Sequence, residues 1–364
     1  MSLTAGIVGL PNVGKSTLFN AITNAKVLAA NYPFATIEPN VGIVEVRDKR
    51  VDEIAKIIKP QRTLYTTFSF TDIAGLVKGA SLGEGLGNQF LSHIREVDAI
   101  CHVIRCFEDP DIVHVNGKID PIGDIETINL ELILADLDQI NKRIQKVKKR
   151  AELKEADAVL EYNALSKILN ALENEKFAST ANLGENEKEV VKAYNLLTMK
   201  PMIYVLNVSE TEVNTKNEYV LMVEKYAEAS KTKCIVVSAK IEEEISNLDE
   251  ETRKLFLSEL EITESGLDKL VKATYELLGL QTYFTAGEKE VRAWTFKKGM
   301  KAPECAGIIH TDFEKGFIRA EVVSYDDFIK YGGKENARLA GKVRLEGKDY
   351  EFQDGDIALF RFNV

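Results

Sequence analysis

Eight residues constrain this chain more than any others: Gly9-Leu-Pro-Asn-Val-Gly-Lys-Ser16. They fit the pattern G-x-x-x-x-G-K-[ST], follow the apolar stretch Ala5-Gly-Ile-Val-Gly9, and lead into Thr17-Leu-Phe-Asn-Ala-Ile22, which reads as a helix. Glycines at this spacing let consecutive backbone N–H groups and a helix N-terminus close around phosphate. The motif predicts an α/β P-loop domain with a mostly parallel sheet. In it Asn12, Val13, Gly14, Lys15, Ser16 and Thr17 would bind nucleotide phosphates. Lys15 would reach the β- and γ-phosphates, and the Ser16 hydroxyl would ligate Mg²⁺.

A triphosphatase of this kind needs a second acid on the metal side and a sensor of the γ-phosphate. Thr67-Phe-Ser-Phe-Thr-Asp72 alternates like a strand and ends in Asp72-Ile-Ala-Gly75. Asp72 would hold the metal through water and the Gly75 N–H would meet the γ-phosphate. Gly79, Gly83, Gly85 and Gly87 follow, as in a switch loop. Between the two motifs, Asn31-Tyr-Pro-Phe-Ala-Thr36-Ile-Glu-Pro-Asn40 is polar and punctuated by proline, and Thr36 is the natural second hydroxyl for Mg²⁺.

These three segments, with Asp72-Ile-Ala-Gly-Leu-Val-Lys-Gly-Ala-Ser-Leu-Gly-Glu-Gly-Leu-Gly-Asn-Gln-Phe90 read in full, resemble the Obg-related translation-factor NTPases. Asn207-Val-Ser-Glu210, with the tail from Gln281-Thr-Tyr-Phe-Thr-Ala-Gly287 to Phe360-Arg-Phe-Asn-Val364, is similar to the YchF / Obg-like ATPase branch. The resemblance spans essentially the whole chain. It implies a Ras-like G domain interrupted by a helical coiled-coil arm and followed by a C-terminal β-grasp (TGS) domain. It also implies association with the ribosome, as large subunit or whole particle, and a preference for ATP. The expected boundaries are 1–128 and 200–280 for the G domain, 129–199 for the arm and 281–364 for the TGS domain.

Which base binds is the sharper question. Guanine-specific relatives carry N-K-x-D, whose Asp accepts from guanine N1–H and the 2-amino group. Here Pro201-Met-Ile-Tyr-Val-Leu206 is followed by Asn207-Val208-Ser209-Glu210, with Val for Lys and a longer carboxylate for Asp. Losing two charge-assisted hydrogen bonds of about 1.5–3 kcal/mol each would erase most guanine preference. The backbone N–H and C=O at Val208 are expected to pair with adenine instead. Against this, Ser238-Ala239-Lys240 matches a guanine-side loop in which the Ala N–H faces O6. A GTPase of the same fold is therefore the alternative, and a nucleotide-gated adaptor with incidental hydrolysis is another.

Hydrolysis lacks its usual helper. The position after D-x-x-G is Leu76, which cannot orient water, so slow intrinsic turnover is expected. His114, whose neutral imidazole can accept from water at pH 7, is the candidate catalytic group beside Lys15 and Gly75. Asn12 could help hold a monovalent cation such as K⁺ against the phosphates.

Leu130, Ile133, Leu137, Ile140, Ile144, Val147 and Ala151 recur at three-four spacing, and Tyr162, Leu165, Leu169 and Leu172 continue it past a polar break. This predicts a helical hairpin. Seven basic residues between Asn141 and Lys154 lie near its tip, in a chain whose 47 Lys and Arg against 57 Asp and Glu give a net charge of −10. So acidic a chain does not bind nucleic acid over its whole surface, but this patch could contact rRNA or tRNA. The C-terminal 84 residues balance fourteen basic against fourteen acidic side chains. No apolar run approaches the ~18 residues of a membrane span, and the motif at Gly9 leaves no room for a signal peptide. Four cysteines without C-x-x-C pairing fit a reducing cytoplasm.

Overall fold

The computed structural model describes residues 3–24, 40–73, 86–112 and 117–363. In chain order these form β1 (Thr4–Val8), α1 (Lys15–Asn24), β2 (Val41–Val46), α2 (Lys49–Ile58), β3 (Arg62–Leu64), β4 (Thr66–Asp72), α3 (Leu86–Glu96) and β5 (Ala99–Arg105). Next come α4 (Pro121–Glu152), α5 (Ala156–Glu173), α6 (Glu185–Lys192), β6 (Met202–Asn207), α7 (Glu218–Ser230), β7 (Lys233–Val237), α8 (Ala239–Ser246), α9 (Glu250–Glu259) and α10 (Gly266–Leu277). The chain ends with β8 (Leu280–Ala286), β9 (Glu290–Lys297), α11 (Ala302–Ile309), α12 (Thr311–Lys315), β10 (Phe317–Ser324), α13 (Tyr325–Lys330), α14 (Lys334–Leu339), β11 (Arg344–Glu346) and β12 (Asp356–Phe362).

The first sheet runs β2-β4-β1-β5-β6-β7. The pairs β1–β4, β1–β5, β5–β6 and β6–β7 are all parallel. Every residue of β5 and β6 is buried, as expected of central parallel strands covered on both faces. Parallel pairing brings the carboxyl ends of β1, β4, β5, β6 and β7 to one edge, where ligands of open α/β sheets bind.

The arm is a hairpin of α4 and α5 joined by Leu153–Glu155, with Lys154 at φ +60° making the reversal. Its 32-residue first helix is about 48 Å long. Ile133, Ile140 and Val147, seven residues apart, pack with Leu165, Ile168 and Leu172 along the expected seam. Leu130 departs from it: the residue is 43% exposed, because the seam begins one turn further on at Ile133. At the arm's root the buried Asp136 carboxylate accepts from Leu197 N–H (3.0 Å), Thr198 N–H (2.8 Å) and the Thr198 hydroxyl (2.7 Å), fixing α4 to the turn that feeds β6.

The chain divides into two compact units. One holds β1, α1 and Ser69–Leu270; the other holds Ile43–Phe68 together with Val271–Val364. The second unit's sheet runs β11-β10-β12-β8-β9-β3, with β3 parallel to β9 at Arg62–Leu64. Antiparallel β8–β9 and β10–β12 pairs flank a parallel β8–β12 contact, consistent with a β-grasp core. Val51 and Ile54 of α2 are fully buried against Phe284, Val291, Ala293, Phe328 and Ile357. A second cluster surrounds Tyr283, whose hydroxyl donates to the Cys305 carbonyl at 2.8 Å. No helix among the described residues is long and apolar enough to cross a membrane.

Candidate nucleotide site

The loop between β1 and α1 needs two unusual backbone conformations, Asn12 at φ +64° and Gly14 at φ +91°. Asn is among the few side chains that tolerate the first, and the second calls for glycine. A Cβ on Gly14 would also run into the Asn207 amide nitrogen. Val13 is buried, so the loop turns its side chain into the protein and its backbone outward. Lys15 begins α1, and the helix's first internal hydrogen bond runs from Leu18 N–H to the Gly14 carbonyl at 3.0 Å. Ser16 is exposed at this N-terminus and Thr17 half-buried. The amides at this end have no intrahelical acceptor, the standard arrangement for binding an anion.

The Lys15 ammonium pairs with the Asp72 carboxylate, although 57 residues separate them in sequence. β4 runs parallel to β1 with Asp72 opposite Ile7, so the acid arrives beside the loop. The strand end is pinned by Asp72 N–H to the Asn40 carbonyl (2.8 Å) and Ile73 N–H to the Ile7 carbonyl (3.1 Å). One carboxylate and one hydroxyl suit Mg²⁺, which keeps several waters and takes its remaining ligands from substrate phosphates. No group of three or more His, Cys, Asp or Glu that could hold a metal occurs among the described residues.

Asn207 ties the phosphate side to the base side. Its Nδ2 donates to the Val13 carbonyl (2.9 Å), and its Oδ1 accepts from Ala239 N–H (2.9 Å); the residue is 3% exposed. One amide hydrogen remains for a ligand. Two backbone donors that the sequence reading gave to the base are engaged within the protein here. The Ala239 N–H is committed to Asn207, so it does not stand ready for a guanine O6. The Val208 N–H donates to the Val237 carbonyl (2.9 Å), because the β6–β7 ladder continues one residue past the strand end, so it does not stand ready for adenine. Ser238 is buried and caps α8. Glu210 sits in a short turn and pairs with Lys240 Nζ at 2.5 Å. The hydrogen bond from Lys240 holds the Glu210 carboxyl below its usual range, and the same bond raises the lysine.

Thr36, Gly75, Leu76 and His114 lie outside the described residues. A residue that the motifs did not single out organises the segment before His114. Arg105, buried at the end of β5, donates to the carbonyls of Phe107 (3.1 Å), Asp109 (3.2 Å) and Ile112 (3.0 Å). Its one sequence signal is a cation closing an otherwise apolar strand.

Two family models match the chain: one described as "50S ribosome-binding GTPase" over residues 4–240, and the C-terminal domain of YchF GTPases, described as a protein of unknown function, over residues 280–363. A protein of Bacillus subtilis named "Ribosome-binding ATPase YchF" is 63% identical, with all of both chains covered. The protein of that name from Escherichia coli O157:H7 is 53% identical, again over all of both chains. The solved structure of the Schizosaccharomyces pombe YchF GTPase superposes with a TM-score of 0.90 at 40% identity, covering 99% of this chain and 98% of that one. The Gly14–Lys15 loop, the acid at the end of β4 and the full-length matches agree, and the chain belongs to the YchF family of P-loop nucleotide hydrolases.

Proposed function

We propose that this chain is a slow, Mg²⁺-dependent ATPase that works as a switch on the ribosome. Relatives of 53–63% identity over the full length carry ribosome-binding ATPase as their name. Lys15 and the loop amides bind the phosphates, Ser16 and Thr36 offer hydroxyls to the metal, and Asp72 and Gly75 form the opposite wall. Mg²⁺, when bound with the phosphates, neutralises charge on the β- and γ-oxygens. His114 is the candidate to orient water, and Asn12 to share a K⁺ ion with the phosphates. The base lies by Asn207, Val208, Ser238 and Ala239.

One observation supports ATP over GTP: the Glu210–Lys240 pair. Guanine requires a carboxylate free to accept two N–H bonds, whereas Glu210 is a methylene longer than the usual Asp and already holds a cation. Titration of nucleotide-free protein with ATP and GTP in Mg²⁺, repeated on Glu210→Asp, tests this. Tighter ATP binding that shifts toward GTP in the variant is expected. Tighter GTP binding by the unaltered protein would make it a GTPase.

The arm supplies the ribosome contact. Of its seven clustered cations, Lys142 pairs with Asp138, Arg143 with Glu161 and Arg150 with Glu155. Lys146, Lys148, Lys149 and Lys154 are exposed with no ion-pair partner among the described residues, and Leu153 at the tip is 77% exposed. Free lysines around an exposed tip favour contact with an RNA backbone.

A further inference from the structure

Alternation divides the side chains of β10 and β12 between the two faces of their sheet. Ala320, Val322, Ala358 and Phe360 enter the cluster around Tyr283. On the other face Val323 and Ile357 are buried with Phe328 of α13 and Ala337 of α14. Two residues further along that face the apolar cover stops. Glu321 stands directly between Leu345 of β11 and Leu359 of β12, one row across three strands, and Arg319 faces Arg361 in the row beyond. Leu345 is 63% exposed and Leu359 41%. A lone exposed leucine is ordinary, but two in one row beside a pair of arginines form a patch.

The Glu321 carboxylate at the centre is buried, and three cations close over it. Lys334 and Arg338 reach Oε2 at 2.8 and 2.9 Å, and Arg361 donates to Oε1 from Nε at 3.1 Å and from Nη2 at 3.0 Å. Lys334 and Arg338 are four residues apart on α14, so one face of that helix supplies both. These hydrogen bonds, that of Lys334 foremost, hold the Glu321 carboxyl down to about 2, and it stays charged throughout the neutral range. Arg338 also pairs with Glu335. Lys334, Arg338, Arg319 and Arg361 against Glu321 and Glu335 still leave two positive charges in excess, in a chain of net charge −10. The side chains of Arg338 and Arg361 remain about half exposed, so each presents guanidinium edge to the outside.

We propose that this face docks an acidic segment of a ribosomal protein, its aliphatic side chains covering Leu345 and Leu359 and its carboxylates meeting Arg319, Arg338 and Arg361. An apolar centre with an arginine rim is the anatomy of a protein interface, and Glu321 holds two of the arginines in place before the partner arrives. Single-stranded RNA is bound largely by stacking on aromatic rings, and leucine offers a base no ring. The proposal rests on the reading that the chain works on the ribosome. It needs only the C-terminal unit, because all of these residues lie within Val271–Val364.

The test uses the full chain with the photo-crosslinker benzoylphenylalanine in place of Leu359, irradiated with purified ribosomes. A covalent product with a ribosomal protein is expected, mapped by mass spectrometry to a segment rich in Asp and Glu. Arg319→Glu is expected to reduce its yield at least fivefold, and Arg319→Lys to leave it within twofold. Arg319 is exposed, and urea unfolding of both variants checks that the fold is kept. Product mapped to RNA would make this a nucleic-acid face and overturn the proposal. So would product on a segment without net negative charge, a yield indifferent to Arg319→Glu, or no product from ribosomes with which the chain pellets. If the chain does not pellet with ribosomes at all, the ribosome reading fails, and this proposal with it.

Discussion

Replacing Asn207 by Asp changes one group at the centre of the site while keeping its shape. The new carboxyl can still accept from Ala239 N–H, but an oxygen now faces the Val13 carbonyl where the amide donated at 2.9 Å. The lost bond costs about 1 kcal/mol, and a buried acceptor left without a donor adds about 1–3 kcal/mol. A total near 3 kcal/mol corresponds to raising the new carboxyl's pKa by about two units in the folded protein, from about 4 to about 6. The sign follows. The acid is neutral more readily when folded, so the penalty is complete above about pH 6 and shrinks as pH falls, because a protonated carboxyl can donate to Val13 again. At pH 5 about half of it remains. Denaturant unfolding and nucleotide titration of both proteins at pH 7.5 and 5 read this directly. The expected result is a loss of about 3 kcal/mol at pH 7.5, roughly halved at pH 5, with nucleotide affinity ten- to a hundredfold weaker at the higher pH. A variant within twofold of the unaltered protein at pH 7.5, or equally impaired at both, would refute the bracing role of Asn207.

His102 is fully buried in β5 with neither ring nitrogen hydrogen-bonded among the described residues, and burial pulls its pKa down to about 3. Because the unfolded chain takes up a proton below about pH 6.5 and the folded chain does not, the unaltered protein should lose about 2 kcal/mol between pH 7.5 and pH 5 relative to His102→Leu, measured by urea unfolding. Neutralising Lys146, Lys148 and Lys149 together should weaken co-sedimentation with ribosomes and flatten its salt dependence by about two to three counterions; unchanged pelleting would remove the arm as the contact. His114→Ala should slow turnover at saturating ATP at least tenfold if the imidazole orients water, and an unchanged rate would take it out of the mechanism.

The phosphate side of the site was legible because its signal is local: a glycine-rich spacing, a lysine and a hydroxyl within eight residues. The helical hairpin was legible for a similar reason, since a seven-residue repeat names its own partner face. Asn207 was found, but its role was not. Its acceptor in the loop is 194 residues away, and nothing in Asn207-Val-Ser-Glu210 shows that the amide braces that loop. The Val208 N–H is hidden in the same way, because a ladder that runs one residue beyond its strand is a property of the neighbouring strand. The apolar stripe Val51, Ile54, Ile57 and Ile58 announces an amphipathic helix but does not say which sheet covers it. The covering residues come from beyond Leu280. Asp136 and Arg105, both buried, were hidden because each satisfies backbone groups, and such bonds leave no pattern in sequence.

If the base lies beside Glu210, as proposed, selectivity must come from exclusion. Glu210 and Lys240 are 39% and 64% exposed as side chains, so their attraction is screened and contributes little to stability. The pair cannot then select adenine by strength of binding. It can select against guanine, because guanine's N1–H and 2-amino group need an acceptor that Lys240 already occupies, and donors left without a partner on binding carry a cost. Adenine presents no such donors and leaves the pair intact. Removing the lysine should therefore loosen discrimination chiefly by improving GTP, with ATP affinity nearly constant. Phosphate affinity should hardly change, because Asn207 and not Glu210 connects this region to the loop at Gly14.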